Sequence, residues 1–213
     1  MLSFVLVAML AGPFGDQPTP LGSKSDRLIR VYQQGFYSRE LVLNLQRAVS
    51  RLLDGSGIAL AFIDCEGQPI CNEGLRRDEL VLRLVSGLHP TDSTTCGMAF
   101  RGTPGRPGVL MSVYRGCVLK TSKQLRGLAL SRTRSTVLLE LTEADMLAPI
   151  VIHEVVHLLL PGEAHGLGIW QAVLAADDWE RLGNGELKLG ADLTSRLRAV
   201  FSAQAPATHA EGR

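Results

Sequence analysis

The sequence predicts an α/β fold. It should hold a mixed, twisted sheet with a helix over residues 38–54 packed on it. A second helix around His153 and a small helical C-terminal part complete it. Three observations carry this. A strand, a helix and a strand follow one another within about forty residues, the pattern of a βαβ unit with a parallel pair. Short apolar runs bounded by Gly and Pro turns come next. The stretch Ile150 to Leu160 is then almost wholly apolar, which marks a helix buried on nearly every side.

In order, "RLIRVYQQ" (Arg27 to Gln34) is rich in Val, Ile, Leu and Tyr and reads as a strand. In "SRELVLNLQRAVSRLLDGSG", Ser38 can cap a helix whose apolar residues recur at helical spacing, and Gly55 and Gly57 end it. "IALAFIDC" (Ile58 to Cys65) reads as a buried strand, and "DELVLRLVSG" (Asp78 to Gly87) as a third. "TTCGMAFRG" and "GVLMSVYRG" read as further strands around the loop "TPGRPG". "CVLKTSKQLRGLALSRTRS" is ambiguous, and "TVLLEL" is a strand or the approach to the next helix. Thr142-Glu143-Ala144-Asp145 is a variant capping box, with Leu141 and Met146 as its staple. Pro149 either kinks that helix or marks its true beginning. "ADDWERLGNGE" and "GADLTSRLRAVFSAQ" read as two short helices, with Asp177 and Asp178 capping the first.

This gives one domain over residues 27–204. The apolar start "MLSFVLVAMLAG" and the Pro/Gly-rich stretch after it read as a signal peptide and linker (1–26), and residues 205–213 read as a disordered tail. A net charge of +1 argues against a nucleic-acid partner, and no apolar run is long enough for a membrane span. Arg76, Arg77 and the other basic residues read as solvated surface. The even set Cys65, Cys71, Cys96 and Cys117 suits two disulfides in a secreted or periplasmic protein. Cys65 and Cys71 could close a short loop, and Cys96 and Cys117 could staple the middle region, but three pairings are open.

Chemistry concentrates in "HEVVHLLLPGEAHGLGIW", His153 to Trp170. Glu154 stands among Val and Leu, where an ionised carboxylate is costly unless something pairs with it. His153 and His157 are four apart and share one helical face, so both imidazoles can reach a single Zn²⁺. Glu154 lies about 100° round the helix, placed to act as general base on water at that metal. Pro161-Gly162 stops the helix and lets the chain turn back with a third ligand. His165 is preferred, since neutral imidazole is the commoner ligand and Gly166 permits close approach. Glu163 competes, and Asp177, Asp178 or Glu180 is a more remote option. Trp170 reads as an aromatic on the pocket floor.

"HEVVH" resembles the HExxH motif of zincin metallopeptidases. The longer segment is similar to a set of small secreted bacterial zincin-like proteins, with HExxHLLLGxxxH followed by Gly-Ile-Met. The strand–helix–strand opening and the closing "LTSRLRAVF" extend the likeness over most of residues 27–202. The resemblance implies a zincin-like α+β fold and a Zn²⁺-dependent peptidase acting on peptides or proteins. It assigns His153, His157 and His165 to the metal and Glu154 to the catalytic base. Pro161 stands where that pattern has Gly, and Trp170 where it has Met. Metzincins proper have Gly and His where this chain has Leu160 and Glu163. The rival expectations are a catalytically inactive zincin-fold binding protein with a structural zinc, and a disulfide-stapled domain without metal.

Overall fold

The structure is a computed structural model that describes residues 26–35, 38–92, 94–100, 102, 108–131, 136–162 and 164–203. The expected signal peptide and linker, most of the "TPGRPG" loop, Glu163 and the C-terminal tail lie outside the described residues.

A five-stranded sheet runs in the order β2-β1-β3-β5-β4. Strands β1 (Asp26–Gln34), β2 (Ala59–Asp64), β3 (Glu79–Val85) and β5 (Leu110–Tyr114) pair in parallel, and β4 (Gly97–Phe100) lies antiparallel to β5 at one edge. The sheet is therefore mixed, as the sequence predicts. Helix α1 (Arg39–Leu52) makes the crossover from β1 to β2. Ser38 caps it through Oγ, which accepts from the Leu41 N–H at 3.2 Å. It ends at Leu52, and Gly55 and Gly57 both take positive φ in the turn that follows.

The ambiguous stretch after β5 is helix α2 (Arg115–Ser131), and "TVLLEL" contains the short helix α3 (Val137–Glu140). Helix α4 (Glu143–Leu159) begins at its Thr142 cap and runs through Pro149, which settles where it starts. Both halves of the capping box form: the Thr142 hydroxyl accepts from Asp145 N–H at 3.2 Å, and Asp145 accepts from Thr142 N–H at 3.0 Å. Leu141 and Met146, the expected staple, are both buried. Helices α5 (Ala176–Gly183) and α6 (Ala191–Ala203) close the chain. Asp178 caps α5 from inside, accepting from Ala175 N–H at 2.9 Å, while Asp177 is exposed and caps nothing.

One face of the sheet carries the main core. Ile29 and Val31 of β1, Leu80, Leu82 and Leu84 of β3, and Met111 and Val113 of β5 belong to the same apolar cluster as the buried sides of α1 and α4. The period-2 alternation of the strands sends the other side chains to the opposite face. The expectation of solvated basic residues holds for Arg76 and Arg77, which are exposed, and fails for Arg30 on this face. Arg30 is 1% exposed and pairs with the buried Glu79 at 2.7 Å. Arg30 also donates to the carbonyls of Glu73 (2.8 Å) and Gly74 (3.3 Å), and Arg76 pairs with Glu79 at 3.0 Å. The two terminal nitrogens of the guanidinium meet these acceptors, which makes the charge tolerable under cover, while its Nε–H has no partner among the described residues. The same covering segment is closed by a Cys65–Cys71 disulfide and receives the Tyr32 hydroxyl on the Cys71 carbonyl at 3.1 Å. A second disulfide, Cys96–Cys117, ties the start of β4 to α2. Of the three possible pairings, this is the one formed.

Candidate metal centre

Helix α4 supplies three of the four chemical groups of the site. It packs against α1, α2, β4, β5 and the 3₁₀ turn Gly168–Trp170, so its apolar sides are enclosed and His153, Glu154 and His157 are held in one place. Beyond Leu159 the helix stops, and Gly162 adopts a φ of 90° that a side chain would resist. The returning chain brings His165 back to the helix.

The three imidazoles converge. His157 Nε2 lies 3.1 Å from His153 Nε2 and 3.2 Å from His165 Nε2. Among the described residues these three form the one group with metal-ligand potential, their ligand atoms all within 4.8 Å of one another. Ligands about 2.0–2.1 Å from a tetrahedral zinc stand roughly 3.3 Å apart, so the spacing fits. His153 Nδ1 lies 3.1 Å from the Ile169 carbonyl, which can only accept. The Nδ1 therefore carries the proton and Nε2 presents its lone pair to the common point. Burial lowers the pKa of His153, the Ile169 bond acts against it, and His165 lowers it further. Lone pairs turned on one another in this way repel until a proton or cation lies between them, and the donor set is one that Zn²⁺ favours.

Trp170 lies beneath all three imidazoles, its ring 4.9, 4.6 and 5.3 Å from those of His153, His157 and His165. Its Nε1–H donates to the Ala164 carbonyl at 2.7 Å, and its own carbonyl accepts from Gly166 N–H at 3.1 Å. A Cβ on Gly166 would come within 3.1 Å of the indole Cδ1. Gly166 thus serves the approach of the tryptophan that supports the histidines. Trp170 is the floor of the imidazole cluster, whereas the aromatic that lines the open cavity is Trp179.

Glu154 is 6% exposed, and burial raises its carboxyl to about 7, against an Ala99 N–H bond that lowers it. The side chain lies against the edge strand. A Cβ on Gly97 would meet the Glu154 Oε1, its Cδ at 2.9 Å and Ile150 Cγ2 at 2.8 Å. Gly97 and Ala99 were invisible as site residues in the sequence; the one signal was a glycine opening a short strand. The site opens into a cavity of about 540 Å³. Its walls come from Asp92, residues 94–99, α4, Ile169, residues 171–174 and Trp179, with His153, Glu154, His157 and His165 among them.

The other proposed ligands do not join. Glu163 lies outside the described residues. Asp177, Asp178 and Glu180 are not in the histidine group, and Asp178 is spent on its helix cap. Tyr32 is engaged on the far face of the sheet, and Tyr114 packs edge-on to His89 at 5.0 Å. The chain therefore has a three-histidine site able to hold a metal ion, with a buried carboxyl beside it. No protein-family model, curated protein or solved structure matches this chain.

Proposed function

We propose that the protein is a secreted or periplasmic zinc-dependent peptidase. The observation that carries this reading is the convergence of three imidazole nitrogens beside one buried carboxyl in an open cavity. When bound, a zinc ion there supplies a Lewis acid for a carbonyl oxygen and acidifies a water molecule. His153, held by the Ile169 carbonyl, keeps its Nε2 lone pair aimed at that point. Glu154 takes the proton from water and returns it to the leaving amine. Burial raises its carboxyl from 4.5 to about 7 in the metal-free protein, so it holds a proton more readily than an exposed carboxylate does. Ala99 N–H holds the carboxyl in line.

A peptide substrate also finds a backbone partner. Among the described residues strand β4 has a strand neighbour on one side alone, Gly97, Met98 and Ala99 line the cavity, and of their main-chain groups the Ala99 N–H is taken by Glu154. An extended chain laid along the open side would be held by main-chain hydrogen bonds, which favours a peptide over a compact small molecule. The disulfides Cys65–Cys71 and Cys96–Cys117 support an oxidising compartment.

The test is zinc content and peptide cleavage for wild type and Glu154→Gln. Wild type should retain one zinc and cut peptides. The variant should keep its zinc and lose activity by about a thousandfold. A protein that takes up no zinc, or a variant as active as wild type, overturns the reading. Zinc retained without cleavage in either leaves the binding protein with a structural metal.

A further inference from the structure

We infer that the cavity takes a lysine or arginine side chain of the peptide, seated with its cation on Asp92; this rests on the peptidase reading of the same cavity. Asp92 lines the cavity together with the three histidines and Glu154. Its carboxylate is fixed in orientation. Oδ1 accepts from Thr94 N–H at 2.8 Å and Thr94 Oγ1 at 2.6 Å, and Oδ2 accepts from Thr95 Oγ1 at 2.5 Å. Those bonds hold it ionised, its pKa down to about 2.

The turn that carries Asp92 is anchored at both ends. His89 Nδ1 accepts from Asp92 N–H at 3.2 Å, and the chain beyond Thr95 enters the Cys96–Cys117 disulfide. The Cys96 carbonyl also accepts from Tyr114 N–H at 2.8 Å. The anion is therefore pre-organised, with little ordering left to accompany binding.

Among the described residues no lysine or arginine lines the cavity and Asp92 has no ion pair; the imidazole of His89, bonded to the Asp92 N–H, is the basic group beside it. The wall also includes Met98, Ile150, Leu174 and Trp179, an apolar surface on which a long aliphatic stem can lie while its charged head reaches the carboxylate. A metal ion is a poorer occupant. Calcium takes about 6–8 oxygen ligands, and one carboxylate already bound by two threonines offers too few.

The experiment measures binding apart from turnover. Fluorescent peptides differing by Lys, Arg, Gln or Glu at single positions are titrated by anisotropy against zinc-loaded Glu154→Gln protein, and their cleavage by wild type is followed in parallel. At low salt the Lys and Arg peptides should bind about fivefold more tightly than the Gln peptide, an advantage that shrinks as salt is raised. Asp92→Asn in that background should abolish the advantage, and Asp92→Lys, with zinc content confirming the fold, should turn it towards Glu. Equal binding of all peptides, or an advantage that survives both substitutions, overturns the inference. Cleavage without a cationic preference keeps the peptidase and removes the subsite. A cationic preference in binding without cleavage removes the peptidase and keeps the subsite.

Discussion

Glu154 is an acid that the metal-free protein holds at a cost. An acid with a folded-state pKa above its unfolded value binds its proton more tightly when folded, so stability falls as pH rises between the two. For Glu154 that window runs from 4.5 to about 7, and above it the full penalty is present. Glu154→Gln removes the charge. In metal-free protein it should therefore match wild type in stability near pH 4 and exceed it by about 2–3 kcal/mol at pH 8. Urea denaturation with chelator present checks this, and an equal difference at both pH values would refute it. His153, Glu154 and His157 were legible as a set because residue type and helical spacing encode them directly, whereas His165, beyond the helix, was preferred over Glu163 on residue type. The carbonyl of Ile169 and the N–H of Ala99 were not, since every residue has a backbone and only folding selects which one meets a side chain.

At the scale of elements, the close approach of α4 to β4 depends on the hydrogen at Gly97. Gly97→Ala would drive a methyl into Ile150 and the Glu154 carboxyl. The packing cost is about 1–3 kcal/mol, and the displaced carboxyl should lose most peptide cleavage while zinc content stays at wild-type level. Zinc analysis beside a cleavage assay separates this from collapse of the metal site. The elements themselves were largely readable: β1, α1 and β2 show clean strand and helix periods and fold as written. Helix α2 was ambiguous for a definite reason. Its buried residues Cys117, Val118, Leu125 and Ala129 have helical spacing, but the exposed Leu119, Leu128 and Leu130 blur it. Pro149 left two readings open, a kink or a later start, and the helix begins before it. A proline inside a helix removes one hydrogen bond, and the enclosing contacts of α4 outweigh that loss.

Across the whole molecule, the sheet is stabilised differently on its two faces: aliphatic packing under α1 and α4, and a buried ion pair under the segment that follows β2. Arg30→Met would leave Glu79 fully buried with Arg76, itself largely exposed, as its remaining cation. The expected loss is about 3 kcal/mol, and Arg30→Met with Glu79→Leu should recover at least half of it, because an apolar pair needs no charge compensation. Equilibrium urea unfolding measures both, and a double variant weaker than the single one would contradict the argument. Net charge and composition cannot reveal such a pair, since they count cations without saying which are covered. The last helix brings one more feature to this scale. Arg27, at the head of β1, stacks over the Phe201 ring of α6 at 5.3 Å, and Arg198 donates to the Ser56 carbonyl. Among the described residues the first strand and the last helix therefore meet at Arg27 and Phe201. A short bridge between residues 203 and 26 would complete the circle, so the domain could be reopened at a surface loop elsewhere with its order of neighbours intact.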